Sequence, residues 1–88
     1  MIIAFVEESF EDYNYFAKND KQTFKKLQKL IKETLRDPFD GIGKPEPLKH
    51  NLAGYWSRRI TKEHRLVYKV EDEKLIIIAC RFHYEGNK

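Results

Sequence analysis

The chain has 88 residues and a formal net charge of +3; 41% of its residues are hydrophobic and 14% aromatic. This composition suits one modest core, argues against intrinsic disorder, and contains no run of the roughly 18 apolar residues that a membrane helix needs. The single cysteine, Cys80, excludes an internal disulfide framework. We therefore expect one domain over residues 1–88, in the reducing cytoplasm and without a membrane anchor.

The first forty residues predict one strand and two helices. Residues 2–6, IIAFV, form a short branched apolar run that is typical of a strand. Ser9 is a candidate cap for a first helix, and Asp20 for a second. The second helix should end before Pro38, because a residue that precedes proline avoids the helical conformation. The apolar residues that recur at helical spacing are Phe10, Tyr13, Phe16 and Ala17, then Phe24, Leu27, Leu30, Ile31 and Leu35.

The second half predicts a loop and three strands. Residues 37–54 are rich in glycine and proline and are typical of a loop. Strands are predicted over 55–60, 64–70 and 74–84, with an acidic turn at 71–73 between the last two. The element order is β-α-α-β-β-β. This order predicts an α+β fold in which the antiparallel C-terminal meander carries the two N-terminal helices on one face.

The register of the last two strands decides which side chains face the helices. A strict two-residue turn at Asp72–Glu73 would place Arg65 opposite Cys80 and bring charge into an apolar face. An odd-length connection, or an equivalent bulge, places Arg65 opposite Arg81 instead. We predict this second arrangement, because it leaves one face of the sheet largely apolar. The other face then carries Arg65, Lys69, Arg81 and His83.

The charge distribution leaves the purpose of that basic face open. Residues 1–40 hold seven basic and eight acidic side chains, a net charge of −1, whereas residues 41–88 hold ten and six, a net charge of +4. A basic sheet face fits a polyanionic ligand such as nucleic acid. It is equally consistent with a solvated face on which long side chains cover apolar atoms.

The motifs favour acid–base chemistry that needs no metal or cofactor. The sequence lacks a metal-ligand cluster and a phosphate-binding glycine motif. Glu46 stands between two prolines in GKPEPLKHN, so its backbone is stiff and its carboxylate is a candidate general base. Arg65 is a candidate phosphate ligand, and His83 a candidate general acid. Tyr84 could donate a hydrogen bond or stack on a base.

Each of these residues also has an ordinary structural explanation. Glu46 could sit in a proline-stiffened surface loop, and Arg65 could form a surface ion pair. His83 could be a polar residue without a role, and Tyr84 could pack in the core. Together, however, a carboxylate, an arginine and a histidine suit RNA cleavage, in which the 2′-hydroxyl attacks its own phosphate and the 5′-oxygen leaves with a proton.

Several motifs resemble those of one family. The run GKPEPLKHNLAGYWSRRITKEHRLVYKV and the later ACRFHY, with FVEESFEDYNYF and DPFDGIGKPEPL before them, resemble the YoeB-type (Txe/YoeB) toxins of bacterial toxin–antitoxin systems. These toxins belong to the wider RelE-like group, whose fold is microbial ribonuclease-like, a sheet with two helices on one side. The resemblance covers the chain up to residue 84 and leaves only EGNK (85–88) beyond it.

The resemblance implies a ribosome-dependent endonuclease that cuts messenger RNA in the ribosomal A site and stops translation. It implies that Glu46 is the general base, that Arg65 stabilises the phosphate, that His83 is the general acid and that Tyr84 assists. It also implies no cofactor, a YefM-like antitoxin, a homodimer, and operator DNA bound only through the antitoxin. The residues expected to bind RNA or support the site are Lys49, His50, Arg59 and Arg81.

Two other functions remain open from the sequence. The chain could be a non-catalytic domain whose basic face binds an acidic partner. It could also be a ribonuclease that needs no ribosome, because the same acid–base residues would serve both kinds of enzyme.

Overall fold

The computed structural model describes residues 1–82 and has two helices on one face of a five-stranded mixed sheet. Its strand order is β1-β5-β4-β3-β2, with β1 parallel to β5 and every other neighbouring pair antiparallel. This architecture confirms the predicted α+β fold. In the described part of the chain, no helix is long and apolar enough to cross a bilayer. The elements are β1 Ile2–Phe5, α1 Glu7–Asn19, α2 Lys21–Arg36, β2 Glu46–Pro47, a 3-10 turn His50–Leu52, β3 Trp56–Arg59, β4 Arg65–Glu71 and β5 Lys74–Ala79.

The structure confirms the predicted cap of α2 and contradicts the predicted cap of α1. α2 is capped as predicted, because the Asp20 carboxylate accepts hydrogen bonds from the Thr23 amide (3.1 Å) and the Thr23 hydroxyl (2.7 Å). The prediction that Ser9 caps α1 is wrong, since α1 begins at Glu7. Ser9 is buried, and its hydroxyl lies 2.7 Å from the carbonyl oxygen of Ile77 on β5. It therefore ties the helix to the sheet.

The connection between α2 and β3 is more ordered than its composition predicts. α2 ends at Arg36, before Pro38, as expected. Within the predicted loop, however, Glu46 pairs with Ser57 and Pro47 with Trp56, which adds a short edge strand, β2. An edge position suits proline, because its missing N–H costs no ladder hydrogen bond there.

The β4–β5 hairpin reaches the predicted register by the bulge and not by an odd-length turn. Asp72 and Glu73 form a two-residue turn with φ of 52° and 63°, which is typical of hairpin turns with positive φ at both positions. Tyr68 then pairs with Ile77, whereas Val67 pairs with Ala79, so β5 contains one extra residue. The predicted three-residue turn is therefore wrong, and the predicted bulge is confirmed.

The core lies between the helices and the sheet face that carries Leu66 and Tyr68. Cys80 belongs to it, fully buried, with its Sγ 3.4 Å from the carbonyl oxygen of Ser9. Burial raises the pKa of the Cys80 thiol to about 12, so the thiol stays protonated near neutral pH. The prediction that Cys80 is a small buried residue is confirmed. The other buried members of this core are Phe16, Leu27, Leu30, Ile31, Ile60, Leu75 and Ile77.

Candidate active site

Glu46 and Arg65 lie on the same face of the sheet, opposite the helices. Glu46 pairs with Ser57, which pairs with Val67, and directly opposed residues share a face. Arg65 stands two residues before Val67 on β4, and so it points to that face as well. With strands about 4.8 Å apart and about 3.4 Å per residue, the Cα atoms of Glu46 and Arg65 are roughly 12 Å apart. A glutamate and an arginine can reach one phosphodiester group across this gap.

Basic side chains lie on both sides of the cross-strand row formed by Glu46, Ser57 and Val67. Arg59 pairs directly with Arg65, two residues along β3 from Ser57, and its side chain is exposed. Lys69 lies on the other side of Val67, as predicted for the open face. Its ammonium group is 3.3 Å from the Glu71 carboxylate, an ion pair that raises the Lys69 pKa. The charge of Arg59 is thus more available to a ligand than that of Lys69.

Glu46 is exposed and held in extended backbone by the pairing of β2 with β3. The chain that leads to it is also fixed, because the Arg59 amide donates a 2.7 Å hydrogen bond to the carbonyl oxygen of Gly43. Two prolines flank Glu46 and restrict the same backbone further. Its carboxylate is therefore presented to solvent from a backbone with little freedom.

The guanidinium of Arg65 is anchored by the connection between β3 and β4. Nη1 donates hydrogen bonds to the carbonyl oxygens of Thr61 (2.8 Å), Lys62 (3.2 Å) and His64 (3.1 Å). Since all three contacts use one amino group, the other edge of the planar fork can bind an anion. The side chain is thereby oriented before a ligand arrives.

Arg58 is a buried arginine that the sequence analysis missed. It is fully buried, and its guanidinium donates to the carbonyl oxygens of Ile42 (2.8 Å) and Asp40 (2.9 Å) and to that of Asp37. These bonds hold the 37–43 segment against the sheet and so support the approach to Glu46. The alternation of β3 contained a signal, because Arg58 lies two residues from Ile60 on the apolar face.

Tyr68 completes the Arg58 network. Its hydroxyl accepts a 3.1 Å hydrogen bond from Arg58 Nε and donates a 2.6 Å hydrogen bond to the carbonyl oxygen of Pro38. Burial raises the pKa of the Tyr68 phenol, so it remains a donor at neutral pH. The loop is therefore fixed by a buried polar network of satisfied partners.

Lys49 and His50 lie just beyond β2. Both side chains are exposed, and His50 opens the 3-10 turn with a φ of 59°. Their position beside the edge strand agrees with a supporting role, but neither contacts Glu46 or Arg65 through a hydrogen bond within residues 1–82.

Arg81 does not join the open face, and its predicted placement there is wrong. Its guanidinium stacks 3.6 Å from the ring centroid of Tyr15 and lies 3.6 Å from the Asp12 carboxylate, both on α1. The strand alternation does not reach it, because β5 ends at Ala79. The predicted catalytic residues His83 and Tyr84 lie outside the described residues.

The described residues contain no group of three or more His, Cys, Asp or Glu side chains that could hold a metal ion. Basic side chains share the sheet face of Glu46 instead, among them Arg59, Arg65 and Lys69. Such a set can bind an anion and accept a proton.

The chain is similar to bacterial toxins along almost its whole length. The model of a family described as YoeB-like toxin of bacterial type II toxin-antitoxin system matches residues 5–84. The chain is 64% identical over 85 residues to Toxin YoeB of Synechocystis sp., which covers 97% of this chain and 99% of that protein.

Solved structures agree. The YoeB/ParE toxin from Agrobacterium tumefaciens superposes with a TM-score of 0.93 at 48% identity, covering 96% of this chain and 100% of that one. The toxin in the YoeB–YefM heterotetramer from Staphylococcus aureus superposes with a TM-score of 0.88 at 52% identity, covering 96% and 98%. A YoeB dimer from the same organism superposes equally well.

Proposed function

Because this chain belongs to the family of YoeB-like toxins of bacterial type II toxin–antitoxin systems, we propose that it is an endoribonuclease that cleaves messenger RNA in the ribosomal A site. The cleavage inhibits translation in the cytoplasm. It proceeds by acid–base catalysis without a metal ion. The single domain over residues 1–88 carries the whole activity.

The observation that carries this proposal is the shared sheet face of Glu46 and Arg65. Glu46 accepts the proton of the RNA 2′-hydroxyl, whose oxygen then forms a bond to the adjacent phosphorus. Arg65, with Arg59 beside it, stabilises the charge that develops on the phosphate oxygens. The bond from phosphorus to the 5′-oxygen breaks, and His83 protonates the leaving oxygen while Tyr84 assists. The products are a cyclic phosphate and a free 5′-hydroxyl.

The exposure of these side chains favours an RNA substrate that another molecule holds in place. Glu46 and Arg59 are exposed on the sheet face opposite the helices, where a flexible RNA strand would lose much entropy on binding. A ribosome that already holds the message in the A site removes most of this cost. Lys49 and His50 would contact RNA beside the edge strand.

We also propose that a YefM-like antitoxin neutralises this toxin and that the pair represses its own operon, with the antitoxin contacting operator DNA. The support is the heterotetramer of the S. aureus relatives, and their dimer supports a homodimer for the free toxin. The basic charge of the second half, a net +4 over residues 41–88, suits an acidic antitoxin segment.

Toe-printing on programmed ribosomes tests the proposed function. The wild type should produce A-site cleavage far faster than it cuts the same RNA without ribosomes. A chelator selective for transition metals, which leaves the ribosome's Mg²⁺ in place, should leave the rate unchanged. Arg65→Ala should abolish cleavage. Arg36→Ala is the matched control, since Arg36 is an exposed arginine whose amino group lies 2.7 Å from Glu33 at the end of α2.

Three outcomes would decide against parts of the proposal. Equal rates with and without ribosomes would show a free ribonuclease. An active, folded Arg65→Ala variant would remove Arg65 from catalysis. A wild type without any cleavage would favour a partner-binding domain. In cells, Arg65→Ala and His83→Gln should both relieve the growth arrest caused by induced expression.

A further inference from the structure

The residue just before His83 is held to the fold through its backbone on both sides. The amide N–H of Phe82 donates a 2.7 Å hydrogen bond to Nδ1 of His64. The carbonyl oxygen of Phe82 accepts a 3.1 Å hydrogen bond from the amide of Arg65. The direction in which the chain leaves Phe82 is thus set by β4, the strand that carries Arg65.

Phe82 adopts a backbone conformation that it would not adopt unaided. Its φ is 63°, in the left-handed region that non-glycine residues rarely occupy. Such a conformation persists where surrounding contacts impose it, and these sites are often functional. Its side chain is 60% exposed, so burial of the ring does not impose this conformation. The two backbone hydrogen bonds, together with the rings and guanidinium beside Phe82, hold this conformation.

His64 is itself fixed in place. Its backbone amide donates a 3.1 Å hydrogen bond to the Thr61 hydroxyl. Its ring lies edge-on to Phe16 of the core, with ring centroids 5.0 Å apart, and 5.8 Å from the ring of Phe82. Since Phe16 is only 1% exposed, the imidazole rests on one side against the packed core.

We propose that His64 is a positioning residue for RNA cleavage. The proposal rests on the proposed function, in which His83 protonates the leaving oxygen. His64 does not touch the RNA. It holds the Phe82 amide through unprotonated Nδ1 and so fixes where the chain continues into His83.

The hydrogen bond requires one protonation state. Nδ1 accepts only when the imidazole is neutral with its proton on Nε2. Protonation would set two N–H groups against each other, and the contact would be lost. The contact therefore holds the Phe82 amide only while Nδ1 is unprotonated.

Two substitutions test the acceptor atom of His64 and the packing of its ring separately. His64→Asn keeps an acceptor oxygen close to the position of Nδ1 but cannot be protonated. His64→Phe keeps the ring packing on Phe16 and removes the acceptor. In single-turnover cleavage on programmed ribosomes, H64F should be slower by about tenfold or more, because a small displacement of a catalytic group has effects of this size. H64N should stay close to the wild type, and both should bind ribosomes normally.

Nuclear magnetic resonance tests the contact without using activity. In the free wild-type toxin, the 15N shift of His64 Nδ1 should be that of an unprotonated acceptor, and the Phe82 amide should be protected from hydrogen exchange. The protection should be kept in H64N, which retains an acceptor, and lost in H64F, which has none.

The outcomes distinguish the two proposals. An H64F variant that cleaves as fast as an active wild type, or that keeps the Phe82 protection, overturns the role of His64 and leaves the proposed function standing. A wild type that does not cleave overturns both. If H64F melts early, His64→Gln is the second variant, because its acceptor is displaced from the Nδ1 position. Full activity of H64Q would then overturn the inference.

Discussion

Replacing Gly43 by alanine should destabilise this chain more than replacing Gly54, although both glycines have positive φ. Gly43 has a φ of +82° and Gly54 a φ of +96°, so either alanine would be strained by about 1–2 kcal/mol. An added Cβ at Gly43 would lie 2.8 Å from Cδ2 of Leu30 and 3.2 Å from both Arg58 Cβ and the Arg59 carbonyl oxygen. At Gly54 it would meet nothing within 4 Å.

The overlap at Gly43 should add roughly 1–3 kcal/mol, since overpacking a well-packed site has costs of this size. We therefore expect Gly43→Ala to lower the free energy of unfolding by about 2–5 kcal/mol and Gly54→Ala by about 1–2 kcal/mol. Urea unfolding at 25 °C measures both. The sole tryptophan, Trp56, reports the transition, because its ring lies 4.9 Å from that of Phe39 in the loop.

Gly43 also precedes Glu46 by three residues, so G43A should slow RNA cleavage under conditions in which it is still folded. G54A should not slow it. Equal losses of stability in the two variants would refute the close approach of Gly43 to α2. Normal cleavage by a destabilised G43A would refute the idea that this loop must be fixed for Glu46 to act.

Three further predictions concern single side chains. Glu46→Gln should lower the cleavage rate by about 10²-fold or more while the melting temperature stays unchanged, because Glu46 is exposed. A large fall in melting temperature would assign Glu46 a structural role instead. Asp20→Ala should lower the melting temperature, Asp20→Asn should lower it less, and neither should alter cleavage, since Asp20 caps α2 through Thr23. Between pH 9 and pH 12 the wild type should lose about 3 kcal/mol more stability than Cys80→Ala. The folded thiol, whose pKa is raised to about 12, keeps a proton there that the unfolded chain releases. Parallel pH profiles would contradict this.

The local elements of the fold could be predicted from the sequence because their causes are local. Asp20 caps α2, Pro38 limits where that helix ends, and alternating apolar residues give β4 and β5. The bulge near Val67 could also be inferred, since without it charge would enter the apolar face.

The remainder depends on contacts between distant parts of the chain. Nothing in residues 2–6 indicates that β1 lies parallel to β5 or that Ser9 contacts Ile77 across the sheet. β2 is only two residues long, and its pairing comes from its neighbour β3. Such nonlocal pairings leave no periodic pattern in the sequence.

In the candidate site, too, features with local causes could be predicted and features that depend on distant contacts could not. Alternation placed Arg65 on the open face, and the KPEP motif singled out Glu46 without assigning it to a strand. The pairing of β2, β3 and β4 puts the two residues on a common face. Alternation failed for Arg81, because the chain leaves the strand after Ala79 and the side chain packs on Tyr15. The buried role of Arg58 was missed because arginine is so seldom found in a core.

The central claim is that Glu46 activates the 2′-hydroxyl of the RNA while Arg65 holds the phosphate. The most direct test replaces a single nucleotide of a ribosome-bound message, at the cleaved position in the A site, by its 2′-deoxy form. We expect the wild-type protein to cut the all-ribose message and to leave the substituted message intact. Cleavage of the 2′-deoxy message at a similar rate would contradict it, because the attacking oxygen would then have to come from water.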